Sequence, residues 1–297
     1  HYCSRRQRQM CIRDRANVVN VVINYFLIFG IWIFPKWGVT GAAVGTLASR
    51  VTMLIFVVIL LYRDPRTATI IRQLVPKRLY KKELNQLLQL GLPSSLQMFF
   101  EVSFFTFAIW VCGFLSKDAQ AANQLALNLS SMTFMVVMGL SVAATIRVGN
   151  QKGFKAFGEL KRIALSVFLL TLLLDVVFAG VFVACNEWLP WLYLDSATGL
   201  DTFAVAELAG SLLIMAAFFQ IFDGAQVVAL GSLRGLQDVR IPTWITFLAY
   251  VLTGVPVMLY LSVEAAMGAR GVWIGLCLGL VVSSLLLYLR FRYLSNK

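Results

Sequence analysis

Residues 162–184 read RIALSVFLLTLLLDVVFAGVFVA, with charge only at the terminal Arg162 and at Asp175 in the middle of the run. At 1.5 Å per residue a helix of about 20 mostly apolar residues crosses a bilayer core about 30 Å thick. The run shows no period-two alternation, so it is a helix and not a barrel strand. Seven further stretches read the same way, at about 16–35, 40–62, 90–113, 122–145, 203–230, 242–261 and 271–290. The whole chain of 297 residues is 59% hydrophobic and 13% charged, with a mean hydropathy of +0.78. A soluble domain carries about a quarter charged residues, which excludes a soluble globular enzyme, a disordered chain and a disulfide-built module. The fold class is therefore all-α, a polytopic membrane helix bundle of about eight transmembrane helices. Trp37, Trp188, Trp191 and Tyr193 fall near span ends, as interfacial aromatics do.

The net charge of +12 would suggest nucleic acid in a soluble protein; here it reports basic loops, and no nucleic-acid partner is expected. One alternating set of loops holds Arg63, Arg66, Arg72, Lys77, Arg78, Lys81, Lys82, Arg147, Lys152, Lys155, Lys161, Arg162, Arg234, Arg240, Arg290, Arg292 and Lys297. The other set holds only Lys36, Lys117 and Arg270. Seventeen against three sets the orientation: 63–89 and the C-terminus are cytoplasmic, and 186–201 and 262–270 lie outside. In the 63–89 loop, Leu79, Leu84, Leu87 and Leu88 are spaced for a short amphipathic helix lying on the cytoplasmic face.

The first fifteen residues, HYCSRRQRQMCIRDR, are basic and without periodicity, and they lack the order of a signal peptide. Met10–Arg15, MCIRDR, resembles the translation of a transposon mosaic end from a sequencing adapter, so 1–15 is read as non-native and set aside. That leaves 21 basic and 13 acidic residues, a charge of +8, and no histidine. An internal repeat is also visible. Gly38, Gly41 and Gly45 open one span, and Gly268, Gly271 and Gly275 open the last with the same spacing, 230 residues later. Small residues at this spacing let paired helices pack closely. If the repeat is a duplication, about 140 residues, roughly four helices, are missing from the front, and the chain is N-terminally truncated.

Several motifs carry a resemblance. Gly91-Leu92-Pro93 opens a helix containing Glu101. AANQLALN at 121–128 lies in a helix that ends in Ile146-Arg147-Val148-Gly149-Asn150. Gln220-Ile221-Phe222-Asp223-Gly224-Ala225-Gln226 leads into GSLRGLQDVRIP at 231–242. Together these resemble the multidrug and toxic compound extrusion (MATE) transporters, closest to the NorM-like branch, over nearly everything from Ala16 onward. The resemblance implies two six-helix lobes joined by a cytoplasmic loop. By that mapping 16–62 holds the last two helices of the N-terminal lobe, 63–89 the inter-lobe loop, and 90–297 the C-terminal six-helix lobe. It also implies the bacterial cytoplasmic membrane and a monomer. Two positions depart from the family: Asn123 stands where it often has His, and Phe219 where sodium-binding members often have Tyr.

Four acids lie within or at the edges of spans: Glu101, Asp175, Glu207 and Asp223. Each charge at the bilayer centre costs about 2.5–3.5 kcal/mol on insertion scales, so each needs a cavity, a partner or a proton. Gln97 sits one turn before Glu101; Gln220 and Gln226 flank Asp223; Gln124 and Asn128 form an i, i+4 pair. Three helices each turning a polar stripe inward describe a wet cavity. Combined with the resemblance, this makes Glu101 and Asp223 the cation-coupling pair and Gln97, Gln124, Asn128, Gln220 and Gln226 the substrate cavity. Asp175, among leucines, reads as a structural pairing, and Glu207 as snorkelling to water. Arg50 lies deep in a span with no obvious partner in sequence. Met132, Met135 and Met138 read as packing.

The function so implied is a secondary active multidrug exporter, a cation:drug antiporter working by alternating access. Its substrates would be organic, often cationic, small molecules and its coupling ion Na+ or H+. Sodium at Glu101 and Asp223 is the one metal allowed, and no cofactor is implied. A lipid-linked oligosaccharide flippase of the same superfamily is the alternative, but it would want a basic cavity for pyrophosphate. An intramembrane enzyme is disfavoured by the lack of credible histidine, G-x-S-x-G and phosphate loop, and the chain reads as no enzyme.

Overall fold

The computed structural model describes residues 18, 20–28, 30, 37–63, 81–154, 157–194 and 202–295. Among these, seven helices are long and apolar enough to cross a membrane. They are α1 (Val39–Arg63), α2 (Lys81–Leu115), α3 (Lys117–Gly153), α4 (Phe157–Ala184), α5 (Thr202–Gly235), α6 (Arg240–Glu264) and α7 (Ala269–Ser295). Most outrun the apolar stretches that predict them, because polar helix-forming turns continue past the apolar window at their ends. The eighth stretch, 16–35, is helical at 20–28, and much of the rest lies outside the described residues, as do residues 1–15. Large apolar side chains such as Leu173, Leu252 and Phe218 face outward, a surface suited to lipid and costly in water.

The chain divides into two units, 1–81 and 82–297. In the first, the segment 20–28 packs against α1. Gly38 adopts φ +54°, and a Cβ at Gly41 would lie 2.6 Å from the Leu27 carbonyl oxygen. A Cβ at Gly45 would land on the Asn24 side chain. The second glycine triad repeats this arrangement within the second unit. Gly268 has φ +60°, a Cβ at Gly271 would lie 2.5 Å from the Leu261 carbonyl carbon, and one at Gly275 would lie 2.5 Å from Met258 Cβ. Each triad thus starts a helix from a left-handed residue and then lays it against the preceding segment.

In the second unit α2 runs unbroken from Lys81, so Leu84, Leu87 and Leu88 lie in its first turns and not in a separate surface helix. Nothing between Lys81 and Leu90 breaks a helix; Leu79 lies outside the described residues. Ser116 ends the short α2–α3 link by capping α3, its side chain accepting from the Ala119 N–H at 3.0 Å. The closest seam joins α3 to α5. Cβ atoms at Gly231 and Gly235 would run into the Ser141 and Thr145 carbonyl oxygens at 2.5 and 2.8 Å. Ser141 donates to the Val227 carbonyl at 2.6 Å and Thr145 to that of Gly231 at 2.8 Å. Glycines facing hydroxyls let the two backbones approach and tie them by hydrogen bonds where lipid offers none.

The GSLRGLQD motif ends α5 in a Schellman turn. Asp238 N–H bonds to the Leu233 carbonyl and Gln237 N–H to that of Arg234, with Gln237 in the left-handed region at φ +59°. Lys152 of α3 donates to the Leu236 carbonyl at 2.6 Å, and Arg290 of α7 pairs with Asp238 at 2.8 Å. The main core lies between α2, α3, α5, α6 and α7 around Phe104, Leu212, Leu213, Phe219, Tyr250 and Trp273.

The glycine packing makes a prediction. Gly275→Ala should destabilise the protein by about 1–3 kcal/mol, because the facing Met258 backbone has to move. Gly139→Ala, where a Cβ meets nothing within 4 Å, should be neutral or slightly stabilising. Thermal unfolding in detergent measures both, and equal melting temperatures would contradict the packing.

Candidate functional site

A cavity of about 370 Å³ opens between α2, α3 and α5. Glu101 comes from the middle of α2, Gln124 and Asn128 from successive turns of α3, and Asp223 from α5. The remaining wall is mostly apolar and soft, with Met98, Phe105, Phe134, Met135 and Phe219 beside the hydroxyls of Ser130 and Ser131, and among the described residues no lysine or arginine lines it. Met135 therefore faces the cavity, against the expectation that it only packs. Asp223 is 5% exposed and its Oδ1 has no hydrogen-bond partner among the described residues. Its charge lies within electrostatic reach of Glu101. Phe219 packs edge-on against Phe105 and Trp273, with centroids 5.8 and 5.4 Å apart, and brings no oxygen to the site.

Three of the five amides expected in the cavity are elsewhere. Gln97 is buried, and its Oε1 accepts from Arg234 Nη2 at 3.0 Å. Gln220 accepts from Thr133 at 3.0 Å and donates to the Asp175 backbone carbonyl at 3.4 Å, clasping α3, α5 and α4. Gln226, fully buried, donates to the Tyr250 hydroxyl, whose ring stacks on Phe104 at 4.7 Å. Helical spacing identifies the stripe these residues share but not the neighbour that fills it.

Arg234 is the side chain that sorting by loops misplaces. It belongs to α5, and besides bonding Gln97 it lies within electrostatic reach of Glu101. Its position inside LRGLQD, one residue before the helix-ending glycine, is the signal that could have found it. Asn123 is buried, its Oδ1 accepting from Trp273 Nε1 at 2.9 Å, which is a structural bond. Glu207 is exposed near the start of α5, and Arg50 is exposed on α1. No group of three or more His, Cys, Asp or Glu side chains poised for a metal occurs among the described residues.

The described residues thus form a polytopic bundle of helices long and apolar enough to cross a membrane, with two acids at the wall of one cavity. The family model MatE matches residues 93–259, and the chain belongs to this family. It is 35% identical over 284 residues to a probable multidrug resistance protein NorM of Acinetobacter baylyi, covering 95% of this chain and 62% of that protein. It is 35% identical over 291 residues to the multidrug resistance protein MdtK of Yersinia pestis, covering 94% and 61%. The chain therefore spans about three-fifths of the length of these curated relatives. Its fold matches the crystal structure of the eukaryotic MATE transporter AtDTX14, with a TM-score of 0.80 at 18% identity over 95% of this chain and 62% of that one. An outward-facing multidrug resistance MATE family transporter matches with a TM-score of 0.79 at 19% identity, over 95% and 60%.

Cysteine accessibility tests the division of the amides. In a background lacking native cysteines, Asn128→Cys should react with a small water-soluble methanethiosulfonate, and Gln226→Cys should stay unmodified until the protein is denatured. Reaction at both positions at similar rates would contradict this geometry.

Proposed function

We propose that this chain carries the C-terminal, ion-coupling lobe of a cation-driven multidrug exporter in the bacterial inner membrane. Residues 90–297 form that lobe, 16–62 are the last two helices of the other, and 63–89 joins them on the cytoplasmic side. The observation that carries the reading is the pairing of Glu101 and Asp223 on one cavity whose other walls combine Met and aromatic side chains with the amides Gln124 and Asn128. Polarizable, adaptable walls accept dissimilar amphipathic molecules, and carboxylates favour cationic ones. A cavity lined by acids and amides with no lysine or arginine suits a lipid pyrophosphate poorly.

The coupling ion in this reading is the proton. Sodium needs a shell of several oxygens gathered on one point. Gln124, Asn128, Ser130 and Ser131 bring oxygens to the cavity, but Phe219, one turn before Asp223, offers none, and the Gln97 oxygen, one turn before Glu101, is taken by Arg234. A proton needs no shell. With both carboxylates ionised the pair repels, so the protonated cavity is the comfortable one without substrate. An arriving organic cation favours loss of the proton, and the two occupants thereby exclude each other. Because an ion shifts a two-state equilibrium only through differential affinity, Glu101 and Asp223 must change surroundings between inward- and outward-facing states.

Expressed in its complete protein, Glu101→Gln or Asp223→Asn should reduce proton-driven ethidium efflux from cells by at least tenfold without lowering membrane insertion. Glu207→Gln should change it less than twofold. Both neutral variants pumping at the wild-type rate would refute the coupling role. The charge bias gives a second test: in sealed cells an impermeant thiol reagent should miss Lys81→Cys and label Glu187→Cys. Labelling at 81 would overturn the orientation.

A further inference from the structure

Asp175 lies in the middle of α4, 1% exposed, and the large cavity does not reach it. It faces Gly224 of α5 so closely that any Cβ there would overlap its carboxylate. Gly224 directly follows Asp223, and the two carboxylates lie within electrostatic reach of each other. A narrow void lined by Ser130, Thr133, Asp175, Gln220, Asp223 and Gly224 joins them, too tight for a water molecule. Three oxygens on it have no hydrogen-bond partner among the described residues: Asp175 Oδ2, Asp223 Oδ1 and Ser130 Oγ. Ser130 is itself 5% exposed and borders both this void and the large cavity, as does Asp223.

A carboxylate kept only to hold helices together would have both oxygens bonded, since an orphaned buried acceptor costs about 1–3 kcal/mol, and more when charged. Asp175 instead spends its backbone carbonyl on Gln220 and leaves Oδ2 beside a gap that admits no water molecule. The ionisable groups facing it are few. Asp223 comes from α5 and, beyond it, Glu101 from α2, while α3 presents only the hydroxyls of Ser130 and Thr133. Tyr288 of α7 meets α4 at Phe168, about two turns away. Two acids this near resist being ionised together without a counter-charge, and among the described residues lining the void none is present.

We propose that Asp175 is a second proton-carrying carboxylate behind Asp223, so that the pair retains one proton when a cationic substrate occupies the cavity. The step is a proton transfer alone. Ser130 Oγ, Asp223 Oδ1 and Asp175 Oδ2 are not bonded to one another in this structure, so the transfer takes place when the Ser130 side chain swings into hydrogen-bond range of both acids. The Asp223 carboxyl then gives its proton to the Ser130 hydroxyl, which passes its own to Asp175 Oδ2, leaving Asp223 ionised toward the cavity and Asp175 neutral. The proton is thus held inside the lobe while Asp223 turns into the counter-charge. This rests on the proton-coupled reading above and names a residue that reading does not use.

The test measures protons released when tetraphenylphosphonium is added to the purified complete transporter in weakly buffered detergent, followed with a pH indicator. It is paired with the pH profile of ethidium efflux. Asp175→Asn should raise the protons released per transporter by at least twofold and move the half-maximal pH of efflux by about one unit or more. Gly224→Ala, which displaces the carboxylate, should do the same. Ser130→Ala keeps every carboxylate but removes the relay, so the Asp223 proton should escape through the cavity and release should rise as in Asp175→Asn; it decides the matter even if Asp175→Asn fails to fold. A folded Asp175→Asn with wild-type release and profile, or Ser130→Ala releasing the wild-type number of protons, would overturn the proposal. If Glu101→Gln and Asp223→Asn also behave as wild type, the coupling reading falls with it; if only they are impaired, the role of Asp175 alone is refuted.

Discussion

The close approach of α3 and α5 is the constraint on which the rest of the second unit depends. Gly231 and Gly235 remove the side chains that would hold the helices apart, and Ser141 and Thr145 replace lost lipid contact with hydrogen bonds to the exposed carbonyls. In a bilayer no hydrophobic force pulls two apolar helices together, so such small-residue seams and buried polar bonds decide which helices touch. Farther along the same seam, Thr133 binds Gln220, and this sets the rotation of α5 about its axis. That rotation presents Asp223 to the cavity and Gly224 to Asp175.

Burial of acids in a low-dielectric medium is costly, and this protein concentrates the cost. Asp223 of α5 lies within electrostatic reach of both Glu101 of α2 and Asp175 of α4, and Arg234 near the end of α5 lies within reach of Glu101. Arg234 also holds Gln97, so the amide beside Glu101 is committed to a cation and withdrawn from the cavity. The polar residues thus fall into two kinds. Gln97, Gln220, Gln226 and Asn123 have a side-chain partner on another helix and stiffen the bundle. Gln124 and Asn128 stay exposed to the cavity.

Much of this was legible before any coordinates. Apolar runs of membrane-crossing length identify the helices because the bilayer enforces that length, and Glu101 and Asp223 stand out because a charge in such a run needs a reason. The glycine triads were readable as packing elements for the same reason. What escaped depends on contacts across sequence. Nothing around Gln220 or Gln226 tells that the facing residues are Thr133 and Tyr250. Arg234 was counted with loop charges because it borders a turn, although the helix carries it inward. Leu84, Leu87 and Leu88 suggested a separate element, since spacing shows a face but not where a helix begins.

The Schellman turn at the end of α5 has a mechanical meaning. Lys152 grips its Leu236 carbonyl from α3, and Arg290 grips Asp238 from α7. Three helices are thereby fastened to one another at the same end, by bonds that bypass the cavity altogether. A push delivered to any one of them is shared by the other two as a lever shares load with its pivot. These bonds restrain the three helices at that end, so relative displacement among them is opposed there first.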